Sequence, residues 1–288
     1  MKYDLSDKRT IDRILSEAGF TFKKSLGQNF LTDGSVCPAM AEAAADADTG
    51  VLEIGPGIGV LTAELAEVAR KVVAIELDER LRPVLAKTLA EYPNASVIFS
   101  DVMKLDLAAL IAEQFSDCKR IAVCANLPYY ITSPILMMLL ESRLPVDSIT
   151  VMVQKEAAER LCAEIPGRAV GAVTLAAAYY AEREILFSVP RGSFTPSPNV
   201  DSAVIRFTLR GGPAVAVQDE RLLFRLIRGA FEHRRKTLVN SVSSAGVCAK
   251  EILLAGLERL GIAATVRAEE LTLEQFAALA NAIDDVRA

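Results

Sequence analysis

The chain predicts an α/β fold, a doubly wound parallel sheet followed by a small helical domain. Three observations carry this. The apolar runs Val51–Ile54, Val72–Ile75, Val97–Phe99 and Ile121–Ala125 lack polar alternation, as strands buried on both faces do. Between them the apolar residues recur at helical spacing, as Val60, Leu61, Leu65 and Val68 do. Beyond Gly211-Gly212-Pro213 only the helical period continues. A chain of 288 residues can bury a large core and leave a second module. The expected division is a catalytic domain over 1–210 and a helical domain over 211–288.

A helix over Thr10–Ala18 leads into a loop at Gln28-Asn29 that would close over a ligand. The first apolar run, which contains Glu53, enters Gly55-Pro56-Gly57-Ile58-Gly59 and then a helix. Glycines at such a turn let the backbone approach a ligand and leave the helix N-terminus open to it. A dinucleotide fingerprint would need glycine at position 60, where this chain has Val60. The G-x-G-x-G spacing after an acid is the pattern of S-adenosylmethionine sites, although a plain tight turn would use the same glycines.

Each later strand ends on a group suited to a nucleoside. Glu76, followed by Leu77-Asp78, can accept two ribose hydroxyls, while Asp78 suits a helix cap. Asp101, in Ser100-Asp101-Val102, can accept an adenine amino group or simply hold a turn. Asn126-Leu127-Pro128-Tyr129-Tyr130 follows the fourth run. The lone pair of an adenine amine is delocalised into its ring. The Asn126 carbonyl and a backbone carbonyl at Leu127 or Pro128 would favour a pyramidal, nucleophilic nitrogen, with Tyr129 stacked on the base. A proline turn after a strand is the plainer alternative. Strands over Ser148–Val153, Ile185–Val189 and Ala203–Thr208 complete the sheet, the last two joined by the Pro-rich Phe194 loop. Helices are expected over Glu220–Phe231, Thr237–Ser243, Lys250–Leu260 and Leu273–Ile283.

Composition narrows the class. The longest apolar run, Ala169–Ala181, is too short to span a bilayer, and the charged N-terminus is not a signal peptide. Cys37, Cys118, Cys124, Cys162 and Cys248 show no metal-ligand spacing, so reduced thiols in a cytoplasmic protein, with no metal, are expected. The net charge of −5 argues against a generally sticky RNA binder. Its distribution is uneven: between Val204 and Asn240 eight basic residues face three acids. Arg221, Arg225 and Arg228 recur at helical spacing, and Arg234, Arg235 and Lys236 form the densest cluster. These six, with Lys23 and Lys24 beside the expected site, are candidate phosphate contacts; a solvated helix face would look the same.

With these motifs, Lys24–Leu31, Phe194–Val204 and Phe231–Leu238, the chain resembles the KsgA-type ribosomal RNA adenine dimethyltransferases over almost its whole length. The resemblance implies a Rossmann-like class I S-adenosylmethionine-dependent methyltransferase domain with a small C-terminal α-helical domain. It implies a cofactor site drawn from Gln28, Asn29, Leu31, Gly55, Gly57, Glu76, Leu77, Asp101, Val102 and Asn126. A catalytic loop of Asn126, Leu127, Pro128 and Tyr129 is expected, with Phe194 on the other face of the target base. The implied reaction places two methyls on N6 of each of two adjacent adenosines near the 3′ end of small-subunit ribosomal RNA. The implied partner is a pre-assembled small subunit, met by a monomer. Enzymes acting on DNA adenine share the Asn-x-Pro-Tyr logic, and Erm-type enzymes of large-subunit RNA differ mainly at the C-terminus. A non-catalytic assembly factor would not need Gly55, Glu76, Asn126 and Tyr129 intact.

Overall fold

The computed structural model of the protein describes residues 3–5, 7–20, 30–127, 131–195, 197–233 and 235–287. The chain runs through α1 (Lys8–Glu17), β1 (Phe30–Leu31), α2 (Val36–Ala44), β2 (Thr49–Ile54), α3 (Val60–Val68) and β3 (Lys71–Glu76). Next come α4 (Arg82–Thr88), β4 (Ala95–Phe99), α5 (Leu107–Gln114), β5 (Arg120–Asn126), α6 (Thr132–Glu141) and β6 (Ser148–Gln154). Then follow α7 (Lys155–Leu161), α8 (Ala172–Tyr180), β7 (Ala181–Val189), β8 (Phe194–Thr195) and β9 (Ser202–Leu209). Helices α9 (Glu220–Phe231), α10 (Leu238–Ser244), α11 (Lys250–Arg259) and α12 (Leu273–Arg287) close the described chain.

Seven strands form one sheet in the order β4-β3-β2-β5-β6-β9-β7. Strands β4, β3, β2, β5 and β6 are parallel to one another, as the unbroken apolar runs predict. Every residue of β2 is buried, and so is all of β3 after Lys71. β9, whose direction the sequence left open, runs antiparallel to β6, with Ser202 opposite Gln154. A parallel return needs a crossover, usually a helix. The connection before β9, residues 190–201, instead gives Phe194-Thr195 to a separate two-stranded pairing with Phe30-Leu31. Two-residue strands carry too little periodicity for a sequence to reveal, and that small sheet was not expected.

The chain divides into two compact units: Met1–Ala158 with Glu184–Leu209, and Glu159–Arg183 with Arg210–Ala288. A single cut after Arg210 would separate elements that the second unit holds together. The apolar run Ala169–Ala181 supplies α8, whose Leu175, Ala176, Ala177 and Tyr179 are buried. α8 packs on α9. The Tyr179 and Tyr180 hydroxyls donate to the two carboxylate oxygens of Glu220, at 3.0 and 3.2 Å. Phe224 lies edge-on to Tyr179 and stacks on Tyr180, with ring centroids 5.1 and 5.6 Å away. Within this unit Asp219 caps α9 by accepting from the Leu222 amide, and Arg210 pairs with Glu182. No helix among the described residues is long and apolar enough to cross a membrane.

The discontinuity makes a testable statement. A chain ending at Arg210 leaves α8 without α9 and uncovers Tyr179, and exposing a buried side chain of that size costs about 1.5–3 kcal/mol. The truncated chain should bind a hydrophobic dye and melt well below the full chain. A cooperative melt at the parent temperature would mean that 1–210 is self-sufficient.

Candidate cofactor and target-base site

The parallel register puts the expected site residues on one edge of the sheet. Glu53 pairs with Cys124, Ile54 with Ile75 and Glu76 with Phe99. Gly55 and Asn126, each two residues further along their strands, therefore stand level, with Glu76 beside Gly55 and Asp101 just beyond Phe99. All four lie at the carboxyl ends of β2, β3, β4 and β5, where open α/β sheets bind ligands. Backbone hydrogen bonds stitch the ends together: the Gly55 amide donates to Ile75 and the Ser100 amide to Glu76, both at 2.9 Å.

The glycine turn is left-handed at each glycine, with φ of 74° at Gly55, 59° at Gly57 and 90° at Gly59. Side chains rarely adopt these angles. A carbon added at Gly55 or Gly57 would meet nothing within 4 Å, so the turn is open above both. Gly59 differs. It caps α3, and an added carbon would crowd Thr88 at the end of α4 and its C-cap Leu89, both at 3.1 Å. Two glycines thus offer a bare backbone, and the third lets α3 pack on α4.

Glu76 is the polar centre of this edge. Its side chain is largely buried, yet one carboxylate oxygen accepts from the Gly57 amide at 3.2 Å and the other from the Asp78 amide at 2.8 Å. Each oxygen retains a further acceptor site, which matches a vicinal diol. Burial pushes the Glu76 carboxyl above its usual range, while the Asp78 and Gly57 amides pull it back. Asp78 is the capping acid expected, accepting from the Arg80 amide and pairing with the Arg80 guanidinium. Leu77 is 60 % exposed and Met103 45 %, two large apolar side chains in water at the ends of β3 and β4. Exposed apolar surface there suits the faces of an adenine ring. Val102 is buried beside them. Asp101 accepts from the Met103 amide at 3.0 Å and pairs with Lys104, the turn role that its sequence also allowed.

Glu53, read only as part of the glycine pattern, is the buried acid of the site. It is 1 % exposed, and its Oε2 has no hydrogen-bond partner among the described residues. Burial pushes its carboxyl up to about 8, with the neighbouring Glu76 adding to the shift. The only charge inside an otherwise apolar strand was the signal for it.

Phe194 is the residue expected on the other face of the target base. It is 4 % exposed and packs in a core cluster with Leu31, Val36, Cys37, Met40 and Cys124. Apolar burial holds the ring there, so a stacking role needs it to leave this cluster. Leu31 shares the cluster. Asn126 is half-buried at the end of β5, and Leu127 is buried. Gln28, Asn29, Pro128, Tyr129, Lys23, Lys24 and Arg234 lie outside the described residues. In the second unit Arg221, Arg225 and Arg228 are exposed along one stripe of α9, opposite buried Leu222, Leu223, Leu226 and Ile227. None of the three arginines forms an ion pair among the described residues. Arg235 is exposed, as is Lys236, whose Nζ donates to Ser244 at 3.4 Å. Arg206, part of the same basic segment, is engaged in the sheet by Glu184.

The buried Glu53 carries a pH dependence. Its folded value lies above the ordinary 4.5, so the protonated form favours folding. That stability is complete below about pH 4.5 and is lost as pH rises towards 8, at most roughly 1.4 kcal/mol per unit. Glu53→Gln mimics the neutral acid, so the melting temperature of the variant should gain on the parent between pH 5 and 8. Parallel curves across that range would show that Glu53 is ionised throughout.

Residues 19–285 match the family model described as ribosomal RNA adenine dimethylase. Two curated relatives called ribosomal RNA small subunit methyltransferase A are similar over nearly the whole chain. The Geobacillus thermodenitrificans protein is 48 % identical over 98 % of this chain and 98 % of its own. The Bacillus pumilus protein is 45 % identical at the same coverage. Among solved structures, the 23S rRNA methyltransferase ErmE superposes with a TM-score of 0.66 at 27 % identity, covering 89 % of this chain and all of its own. A dimethyladenosine transferase from Plasmodium falciparum gives 0.68 at 25 % identity, over 84 % of this chain and 93 % of its own. An open glycine turn, a doubly bonded buried carboxylate and an amide on adjoining strand ends are thus found in a chain that belongs to the ribosomal RNA adenine dimethylase family.

Proposed function

We propose that this enzyme dimethylates N6 of two adjacent adenosines near the 3′ end of small-subunit ribosomal RNA, using S-adenosylmethionine, within a pre-assembled small subunit. The observation that supports the site reading most is the Glu76 carboxylate, presented by the Gly57 and Asp78 amides beside an open glycine turn. The small-subunit target is supported by relatives of that name at 45–48 % identity over 98 % of the chain. The enzyme named for 23S RNA stands at 27 %. The reading also takes the protein as a monomer that works in the cytoplasm, during small-subunit biogenesis.

The residues present fit the cofactor. Glu76 would accept the ribose hydroxyls, Leu77 and Met103 would cover the adenine, and Asp101 and Val102 would hold its edge. Gly55, Gly57, Leu31 and the Gln28-Asn29 loop would line the remainder. When bound, the cofactor supplies an activated methyl on a sulfonium. The chain's task is then alignment of amine, methyl and sulfur, worth on the order of several kcal/mol. The Asn126 carbonyl, with a backbone carbonyl at Leu127 or Pro128, would accept from the target amine and direct its lone pair at the methyl. Tyr129 would stack on the base after it leaves its helix. Phe194 would join it only by leaving the core. The amine proton becomes acidic as the new bond forms, so a strong base is not required.

RNA docking is assigned to Arg221, Arg225, Arg228, Arg234, Arg235 and Lys236, with Lys23 and Lys24 near the mouth of the site. The reading of the α9 stripe rests on three exposed arginines without acidic partners among the described residues.

Incubation with labelled cofactor and unmethylated small subunits, followed by nucleotide mapping, tests the function. Label in two neighbouring adenosines near the 3′ end is expected, and label confined to large-subunit RNA would overturn the target. Neutralising Arg221, Arg225 and Arg228 together should weaken subunit binding and flatten its salt dependence by roughly 0.7–0.9 log units per contact. An unchanged slope with a lowered melting temperature would make the stripe structural.

A further inference from the structure

The two-stranded pairing of β1 with β8 joins the segment that follows the cofactor loop to the segment that opens the Pro-rich loop. Phe30 pairs with Thr195 and Leu31 with Phe194. Beyond the strands the contact tightens. The Thr32 and Asp33 amides both donate to the Ser193 carbonyl, at 2.8 and 3.3 Å, and the Thr32 hydroxyl donates to it at 3.2 Å. The Ser193 hydroxyl in turn donates to Asp33 Oδ2 at 3.0 Å. Asp33 Oδ1 accepts from the Ser35 amide and hydroxyl, at 3.0 and 2.6 Å, just ahead of α2. One carboxylate therefore fixes the entry to α2 with one oxygen and residue 193 with the other.

The Pro-rich loop is tied to itself. The Arg191 amide donates to Asp201 Oδ1 at 2.9 Å, the Ser197 hydroxyl to the Arg191 carbonyl at 2.8 Å, and the Lys155 amide to the Asp201 carbonyl at 3.0 Å. Ser202, which follows it, stands opposite Gln154 at the carboxyl end of β6, so the loop sits on the ligand-binding edge. These bonds close the described part of the loop on itself, and Ser193 links it to residues 31–33.

We propose that Asp33 and Ser193 form a clasp that makes cofactor binding and target-RNA binding cooperative, both acting as positioning residues. The inference rests on the site reading given under Proposed function. Coupling of this kind is reciprocal: whatever factor the cofactor adds to RNA affinity, the RNA adds to cofactor affinity.

The test uses the full chain, S-adenosylhomocysteine and unmethylated small ribosomal subunits, with each affinity measured alone and in the presence of the other. In the parent, saturating S-adenosylhomocysteine should tighten subunit binding about fivefold or more, within the ordinary range of coupling. Ser193→Ala should reduce that factor below about twofold, while each ligand alone binds within about threefold of the parent. Asp33→Ala should do the same. Asp33→Asn should restore coupling, since its amide can accept from Ser35 and donate to the Ser193 hydroxyl. Melting temperatures read alongside show that the variants are folded. Full coupling in Ser193→Ala, or none in the parent, overturns the clasp. A parent that binds neither ligand overturns the site reading itself, and the clasp with it.

Discussion

The hydrogen bond from the Gly57 amide to the Glu76 carboxylate turns two neighbouring strand ends into one site. It needs Gly57 in a left-handed conformation, which a side chain would oppose, and it needs Glu76 largely withdrawn from water. Burying a carboxylate is costly unless it is hydrogen-bonded. Here each oxygen receives a backbone amide, so the acid is held in place without an ion-paired cation among the described residues. The left-handed turn aims the Gly57 amide at the acid, and that bond offsets part of the acid's desolvation.

How far the sequence revealed this depended on the kind of signal. Unbroken apolar runs mark parallel strands, so β2, β3 and β5, and the half-exposed edge strand β4, were legible, and their carboxyl ends located Gly55, Glu76, Asp101 and Asn126. Asp78 was legible as a cap because its side chain bonds an amide two residues on, a purely local effect. The orientation of β9 and the pairing of β1 with β8 were not, since both depend on contacts far apart in the chain. The same reason hid Ser193 and Asp33, separated by 160 positions. Phe194 was legible as an important aromatic, but not as one buried against α2, because burial is a property of the packed cluster.

The second unit shows the limit of reading domains from composition. Gly211-Gly212-Pro213 marks a break in the chain, but α8 lies before that break and is packed with the helices after it. Its apolar run is explained by a helix that packs on α9, with Tyr179 against Phe224 and Glu220. The basic segment divides in a similar way. Arg206 and Arg210 are engaged by Glu184 and Glu182, while the α9 arginines are not ion-paired among the described residues. A count of positive charge in sequence merges these two populations, and only geometry separates the ion-paired arginines from the exposed ones of α9.

The measurement that bears most directly on the account is a calorimetric titration of S-adenosylhomocysteine onto the parent and onto Glu76→Ala, with melting temperature as the control for folding. Each charge-assisted hydrogen bond to a ribose hydroxyl is worth about 1.5–3 kcal/mol, so the folded variant should lose tenfold or more in affinity. An affinity equal to the parent's in a folded Glu76→Ala protein would contradict the account.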